Sequence, residues 1–230
     1  IVNQVANTRY VSRGALNAPL VIRTQQGHTP GACAQHSQSL EALFAHVPGL
    51  RVGVPATPAD AYSMLRTAIE LDDPVMIFES RKFYPTKGPV TPGVPDRGVG
   101  VSEKLRHGSD VTVVTWGTGR TLVDEALAGE AGSVSADVID LRWISPWDSD
   151  AVLESVSRTG RLLVVHEANE NGGFGAEVVS TVADELGSAL RASRRVGLLG
   201  TPVPSAPPLA QAVLPTVARV SAALTSLLEV

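Results

Sequence analysis

The sequence predicts an α/β protein with two three-layer domains, each organised around a mostly parallel sheet. Apolar runs of strand length alternate with helical patterns along most of the 230 residues. The apolar runs are nearly continuous, which is typical of strands that are covered on both faces. The stretch 84–100 is rich in proline and glycine and interrupts this alternation, so we expect it to connect the two domains.

The first half starts with Ile1–Asn7, which has the pattern of the middle of an amphipathic helix and no start signal before it. We therefore expect the chain to begin inside a larger protein. Ser39 is the expected N-cap of a helix over 39–47, and Thr57 is the expected N-cap of the next helix. The apolar residues of the helix over 39–47 share one face: Leu40, Leu43, Phe44 and Val47. Strands are predicted at 20–23, 50–55 and 75–78.

The second half continues the alternation of strands and helices. Strands are predicted at 111–116, 136–141, 161–165 and 196–199. Helices are predicted over 120–129, 148–158, 176–190 and 214–228. Because helices separate consecutive strands, this half is also expected to form a parallel sheet covered on both faces.

The composition argues against several classes of partner. The net charge is −4 and no run of Lys or Arg stands out, so we expect no nucleic-acid partner. No apolar run approaches the ~20 residues of a membrane-spanning helix, so we expect no membrane association. The single cysteine, Cys33, excludes an internal disulfide and fits a reducing compartment.

His36 is the best candidate for a residue that carries chemistry. It follows the uncharged loop segment 27–35 and lies directly before a predicted helix. An imidazole at the mouth of an α/β sheet can accept or donate a proton near neutral pH. The residues alone leave two interpretations open: a proton-transfer group, or a loop histidine whose ring hydrogen-bonds a neighbour.

The other histidines are given structural interpretations. His46 lies in the last turn of its helix, where it complements the helix dipole. His28, His107 and His166 have no partner at metal-ligand spacing, so no zinc site is predicted. The pair His166–Glu167 follows a buried strand, where α/β proteins often bind ligands. We prefer the interpretation that this pair satisfies backbone groups.

Two glycine patterns, 116–119 and 172–175, resemble nucleotide-binding turns but lack the third glycine of the dinucleotide fingerprint. We interpret both as strand–helix turns that need close packing or a positive φ. The turn 68–74 ends a helix in front of a strand. Its free carbonyls could coordinate a monovalent cation, although such carbonyls more often meet water.

Several longer stretches carry a resemblance to one family: Gln35–Ser39, Phe44–Leu50, Ile144–Asp148 and His166–Ala168. In their order and spacing the chain resembles the β subunit of the decarboxylating component of 2-oxoacid dehydrogenase complexes, which are thiamin diphosphate enzymes. Such subunits are similar to the last two domains of transketolase. The resemblance implies an incomplete pyrimidine-binding domain at 1–84, a linker at 85–105 and a transketolase C-terminal-like domain at 106–230.

The resemblance also implies an activity, the oxidative decarboxylation of a branched-chain 2-oxoacid or pyruvate with acyl transfer to lipoamide. His36 matches the active-site histidine of the family. Relatives bind a potassium ion at the positions of five residues: Leu20, Ala68, Ile69, Leu71 and Asp73. Leu71 replaces an aspartate found in some members, but backbone carbonyls can supply such ligands.

The chain departs from the family in what it lacks. The glutamate that activates thiamin diphosphate and the tyrosine that stacks on its pyrimidine match no residue here, because they lie upstream of Ile1. In the family the diphosphate and its magnesium are held by the α subunit. We therefore expect the cofactor to be shared with an α subunit or a fused α part, and the chain alone to be inactive.

Further partners implied by the resemblance are a second β subunit and the lipoyl acyltransferase core. The implied location is the cytoplasm or, in a eukaryote, the mitochondrial matrix. Two alternatives stay open. The chain could be a non-catalytic module that docks the acyltransferase core, or a fragment of another transketolase-like enzyme such as a transketolase or a deoxyxylulose phosphate synthase.

Overall fold

The computed structural model describes residues 1–230 and has two sheets. Nine strands form them: β1 (Val21–Gln26), β2 (Arg51–Gly53), β3 (Val75–Ser80), β4 (Glu103–Arg106), β5 (Val111–Thr115), β6 (Ala136–Asp140), β7 (Trp143–Ser145), β8 (Arg161–Asn169) and β9 (Ala192–Leu198). The first sheet has the order β1-β3-β2-β7 and the second the order β4-β6-β5-β8-β9. The predicted α/β class is thereby confirmed.

Helices connect most of the strands and cover the sheets. They are α1 (Thr8–Val11), α2 (Glu41–Ala45), α3 (Pro58–Glu70), α4 (Thr118–Ala128), α5 (Ser149–Thr159), α6 (Phe174–Leu186), α7 (Pro207–Val213) and α8 (Val217–Leu228). Short 3₁₀ turns occur at 34–36, 81–83 and 187–189. Residues 84–102 form no helix or strand.

The first sheet is completed by a strand from the second half of the chain. β1 and β2 lie parallel on either side of β3. β7 pairs antiparallel with β2, with Ser145 opposite Val52 and Trp143 opposite Gly53. At three residues, β7 is too short to show a strand periodicity in the sequence.

The second sheet is parallel apart from its edge strand. β5, β6, β8 and β9 run parallel, and every residue of β5 and β6 is buried. β4 lies antiparallel to β6 at the edge. Residues 103–105 thus belong to the sheet, although they lie inside the predicted linker 85–105. Their charged side chains concealed this strand, since Glu103 pairs with Arg120 and Lys104 with Asp137.

The two halves of the chain share a hydrophobic core. One cluster contains buried side chains from β2 and β3 together with side chains from β5, β6 and β8. Its members include Val52, Met76 and Phe78 of the first sheet and Val114, Ile139 and Val164 of the second. A second cluster lies where α4 and α8 pack on the second sheet. The shared core holds the edges of the two sheets in a defined relation to each other.

Three predictions about the first half need correction. Ile1–Asn7 forms hydrogen-bonded turns, and the helix that follows starts at Thr8. Ser39 does not cap α2, because Leu40 occupies the N-cap position without a side-chain bond. The predicted apolar face of α2 is right only in part: Phe44 and Val47 pack against the core, whereas Leu43 is 59% exposed and Glu41 is buried. The reason is tertiary: Glu41 accepts a hydrogen bond from the indole of Trp116.

The C-terminal helices differ from the predicted single helix over 214–228. α8 starts at Val217 with Thr216 as its N-cap, and α7 precedes it. By length and composition, 207–228 is apolar enough to cross a membrane. Residues 214 and 216 are extended, however, and α8 buries Val220, Leu224 and Leu227 against the second sheet. Core packing accounts for the apolar composition of this segment.

Candidate functional site

His36 lies at the carboxyl edge of the first sheet. The loop 27–40, called here the His36 loop, connects the end of β1 to α2, and His36 ends its 3₁₀ turn. The imidazole is exposed and makes no hydrogen bond within the chain. Its backbone carbonyl accepts a hydrogen bond from Arg81 Nη1 at 3.4 Å. The ring is therefore free to meet a group outside this chain.

The His36 loop is compact because its backbone turns sharply. Gly27 and Gly31 have φ values of +83° and +77°, and Cys33 adopts the left-handed region with φ +53°. Such a φ is uncommon for a residue with a side chain and costs free energy. The amide of Gly27 donates to the carbonyl of Gln38 at 3.2 Å, which closes the loop at its base. The loop thus presents His36 from a constrained backbone.

His166 and Glu167, near the carboxyl end of β8, have different roles. Glu167 reaches the His36 loop, where its carboxylate accepts a hydrogen bond from the backbone N–H of His28 and another from the hydroxyl of Thr118. The interpretation that the pair satisfies backbone groups is confirmed for Glu167. Sequence reasoning did not identify the partner, which lies 139 residues away.

His166 is a core residue. It is fully buried and stacks on Trp116 with the ring centroids 5.0 Å apart. Burial lowers the pKa of His166 to about 4, so the ring is neutral at physiological pH. A Cβ at Gly175 would lie 2.5 Å from its Nε2, so the first turn of α6 packs directly on the ring. The structure therefore does not bring His166 into a site with His36.

Glu41 is a buried acid that sequence reasoning did not select as a site residue. Its Oε1 accepts a hydrogen bond from Trp116 Nε1 at 3.0 Å, which links α2 to the end of β5. Burial raises the pKa of Glu41, and the hydrogen bond from Trp116 opposes this shift. No periodicity signals such a residue, because a glutamate at the start of a helix is ordinarily exposed.

Buried polar atoms without partners gather around the base of the His36 loop. They are Gln26 Oε1, His28 Nδ1, Ser37 Oγ, Ser39 Oγ and Glu41 Oε2. Buried polar groups in proteins are almost always hydrogen-bonded. The interior at the base of the loop thus has hydrogen-bonding capacity that the chain itself does not use.

The residues predicted to bind potassium lie at the opposite, amino edge of the first sheet. The carbonyl of Leu20 accepts from the amide of Val75 at 2.9 Å. Ala68, Ile69 and Leu71 lie at the end of α3. The structure brings these segments to one edge. Two of the carbonyls, however, already accept a backbone hydrogen bond: that of Leu20 from Val75, and that of Ala68 from Leu71.

Asp73, the fifth of these residues, is held by two arginines. Its carboxylate contacts Arg9 at 2.6 Å and Arg51 at 2.7 Å. Partial burial by itself would raise the pKa of Asp73, but the hydrogen bonds and charges of Arg51 and Arg9 outweigh it and lower that pKa. The charge of Asp73 is thereby balanced within the chain. The potassium site stays a prediction.

The glycine turns are packing devices. Gly117 starts α4 with a φ of +53°. A Cβ at Gly119 would lie 2.5 Å from both Thr115 Oγ1 and the carbonyl of Val165. A side chain at position 119 would thus separate α4 from the sheet. This agrees with the predicted role of these glycines as strand–helix turns.

No three His, Cys, Asp or Glu side chains lie close enough together to hold a metal ion. The exposed His36 and the polar base of its loop form the candidate site that the chain does contain.

Comparison with protein families divides the chain near the end of β3. Residues 2–87 match the model of the transketolase pyrimidine binding domain. Residues 100–220 match the model of the transketolase C-terminal domain. The two matches meet in the stretch that forms no helix or strand.

Several curated proteins are similar to most of the chain. The β subunit of acetoin:2,6-dichlorophenolindophenol oxidoreductase from Cupriavidus necator is 40% identical over 97% of this chain and 67% of its own length. The mitochondrial 2-oxoisovalerate dehydrogenase subunit beta 2 of Arabidopsis thaliana is 40% identical over 89% and 58%. The 3-methyl-2-oxobutanoate dehydrogenase subunit beta of Mycobacterium tuberculosis is 38% identical over 81% and 54%.

A solved structure has the same fold. It is a split gene transketolase, described as an inactive beta4 tetramer, with a TM-score of 0.74 and 25% sequence identity. The match covers 97% of this chain and 73% of that protein.

The chain spans 54% to 67% of the length of the curated relatives described above.

Proposed function

The chain belongs to the family of transketolase-like β subunits that includes those of 2-oxoacid dehydrogenases and acetoin oxidoreductases, and from this we propose that it is the β-subunit part of a 2-oxoacid dehydrogenase. The complete enzyme would decarboxylate a 2-oxoacid oxidatively and transfer the acyl group to lipoamide. The contribution of this chain would be the imidazole of His36.

The exposed, unbonded ring of His36 carries this proposal. A general acid or base must be within hydrogen-bond reach of the group it serves, and an imidazole titrates near the working pH. The ring of His36 is exposed on a constrained loop at the carboxyl edge of a parallel sheet, where α/β proteins bind ligands.

The cofactor we propose is thiamin diphosphate with magnesium, shared with an α subunit or a fused α part. When bound, this cofactor supplies the carbanion stabilisation that decarboxylation requires. In the family that the chain resembles, the α subunit holds the diphosphate and the metal, so we assign both to the partner. The assignment also implies that this chain alone is inactive.

The substrate we favour is a branched-chain 2-oxoacid. Two of the relatives described above act, by their names, on 2-oxoisovalerate or 3-methyl-2-oxobutanoate. Acetoin is the second candidate, because a relative named for acetoin is similar over 97% of the chain. Pyruvate, which the family resemblance also implies, is the third substrate to compare.

We also propose the assembly and location that the family suggests. The partners are the α subunit, a second β subunit and the lipoyl acyltransferase core. The division into 1–84, 85–105 and 106–230, with its boundary adjusted for β4, belongs to the same proposal. So does a potassium ion at the amino edge of the first sheet. The compartment is the cytoplasm, or the mitochondrial matrix if the source is eukaryotic.

The test is a His36→Ala variant in the enzyme assembled with its α partner. We expect acyl transfer to lipoamide to fall by about 10²-fold or more, the usual contribution of a positioned acid or base. His46→Ala is the matched control, because His46 lies at the end of α2 outside the His36 loop and should leave the rate unchanged. Comparing 3-methyl-2-oxobutanoate, acetoin and pyruvate as substrates would identify the reaction. Unchanged acyl transfer in the His36→Ala enzyme would instead favour the assembly-module alternative.

A further inference from the structure

Glu167 joins the second sheet to the loop that carries the candidate catalytic histidine. We infer that Glu167 is a positioning residue, which holds the His36 loop against the second sheet and so fixes the place of the imidazole. The catalytic consequence of this inference rests on the proposed function. The hydrogen bonds of Glu167 from which the inference is argued do not depend on that function.

Both carboxylate oxygens of Glu167 are used, and each by a different element. Oε1 accepts the backbone N–H of His28, at the start of the His36 loop. Oε2 accepts the hydroxyl of Thr118, in the first turn of α4. Hydrogen bonds to an ionised acceptor are shorter and stronger than neutral ones. We call these two contacts the Glu167 clamp.

The backbone of the loop is shaped to admit this carboxylate. A Cβ at Gly27 would lie 2.9 Å from Glu167 Oε1 and 3.0 Å from Oε2, and Gly27 has a φ of +83°. Only glycine combines this backbone conformation with room for the carboxylate. The amide of the same Gly27 closes the loop on Gln38. The Glu167 clamp therefore acts at the neck of the loop, where Gly27 is bonded to Gln38, two residues after His36.

Few other hydrogen bonds tie the loop to the rest of the chain. At its far end the amide of Leu43 in α2 donates to the carbonyl of Leu40 at 3.0 Å, and otherwise only Arg81 reaches the loop, through the carbonyl of His36 at 3.4 Å. The bonds Gly27–Gln38 and Ala32–Thr29 are internal to the loop. Loss of the Glu167 clamp should therefore release the loop as a unit while the two sheets stay folded.

Cys33 provides a direct measure of this release. It is the only cysteine and lies within the loop, half-buried. Its rate of modification by a chromogenic disulfide reagent reports how often the loop opens. In Glu167→Ala and in the near-isosteric Thr118→Val we expect this rate to rise by about tenfold or more, in line with the loss of hydrogen bonds to a charged group. Glu167→Gln, which retains one acceptor oxygen, should lie between these variants and the wild type.

Glu170→Gln is the matched control. Glu170 follows the same strand and also accepts a backbone N–H, that of Gly197 at 3.1 Å, and a side chain, that of Arg219 at 2.7 Å. It has no hydrogen bond to the His36 loop. We expect the rate of Cys33 modification in Glu170→Gln to match that of the wild type. Equal acceleration by Glu170→Gln, or no acceleration by Glu167→Ala and Thr118→Val, would overturn the inference.

The assembled enzyme tests the catalytic consequence. If Glu167 acts through His36, then Glu167→Gln should lower acyl transfer in the wild-type background and have little further effect in the His36→Ala background. Equal losses in both backgrounds would overturn the positioning role. If His36→Ala itself has no effect, the proposed function fails, and the Cys33 rates alone decide whether the clamp exists.

Discussion

At the residue scale, burial decides the chemistry of each histidine. His166 is enclosed by the indole of Trp116 on one side and by glycines on the other, since a Cβ at Gly173 or Gly197 would lie 2.9 or 3.0 Å from its ring. Its low pKa follows from the lost hydration of the charged form. His36, on an exposed loop, keeps access to solvent and to partners. Of these two rings, only that of His36 is exposed to solvent.

His166 should make the stability of the protein depend on pH. Its pKa is about 4 in the folded protein against 6.5 for an ordinary histidine, so unfolding takes up a proton between these values and stability falls as the pH drops through this window. The contribution is about 2 kcal/mol between pH 7 and pH 5. Urea unfolding of wild type and His166→Leu at both pH values measures it. The variant should lose less stability over this interval, and parallel curves would contradict the assignment.

At the element scale, the helices follow their caps where a local partner exists. The hydroxyl of Thr57 accepts the amide of Asp60 at 3.1 Å and starts α3 where the sequence predicts. α2 departs from the prediction because its inner residue is Glu41, which reaches a tryptophan 75 residues away. An amphipathic pattern reports the apolar face of a helix, and it misleads where the inward residue is a paired acid.

The cap of α8 can be tested in isolation. The hydroxyl of Thr216 accepts the amide of Arg219 at 3.2 Å, and α8 covers the core of the second sheet. Thr216→Ala should lower the free energy of unfolding by about 1 kcal/mol, because an amide at the helix start loses its acceptor. Thr216→Ser keeps the hydroxyl and should lie close to the wild type in a urea titration. Equal destabilisation by both variants would show that the methyl group, not the cap, matters.

At the scale of the whole molecule, one buried arginine joins the two halves and the segment between them. Arg142 lies between β6 and β7, is buried, and contacts Asp60 of α3 at 2.9 Å. It also pairs with Asp96 in the stretch that forms no helix or strand. β7, directly after it, completes the first sheet. The connecting stretch is thus held by a charge network rather than by its own backbone structure.

Removal of Arg142 should loosen this connection. Arg142→Met leaves two carboxylates without their cation and should lower the free energy of unfolding by ~3–5 kcal/mol. Trypsin should then cleave faster at Lys87 and Arg97, both in the connecting stretch. Combining Arg142→Met with Asp60→Asn and Asp96→Asn should restore part of the stability, because no buried charge remains unpaired. If Arg142→Met alone is as stable and as protease-resistant as the wild type, this role of Arg142 is contradicted.

Local features of the sequence determined the class of fold, most strand positions, the N-cap of α3, and His36 as the candidate site residue. Each of these is carried by residues within a few positions of one another, so hydrophobic period, capping chemistry and motif spacing are enough to find them. The tertiary structure alone decided which groups meet across the chain. Those contacts join residues 75, 82 and 139 positions apart: Glu41 with Trp116, Arg142 with Asp60, and Glu167 with His28. No local pattern encodes them, because a buried charge is stable only beside a partner that folding brings to it.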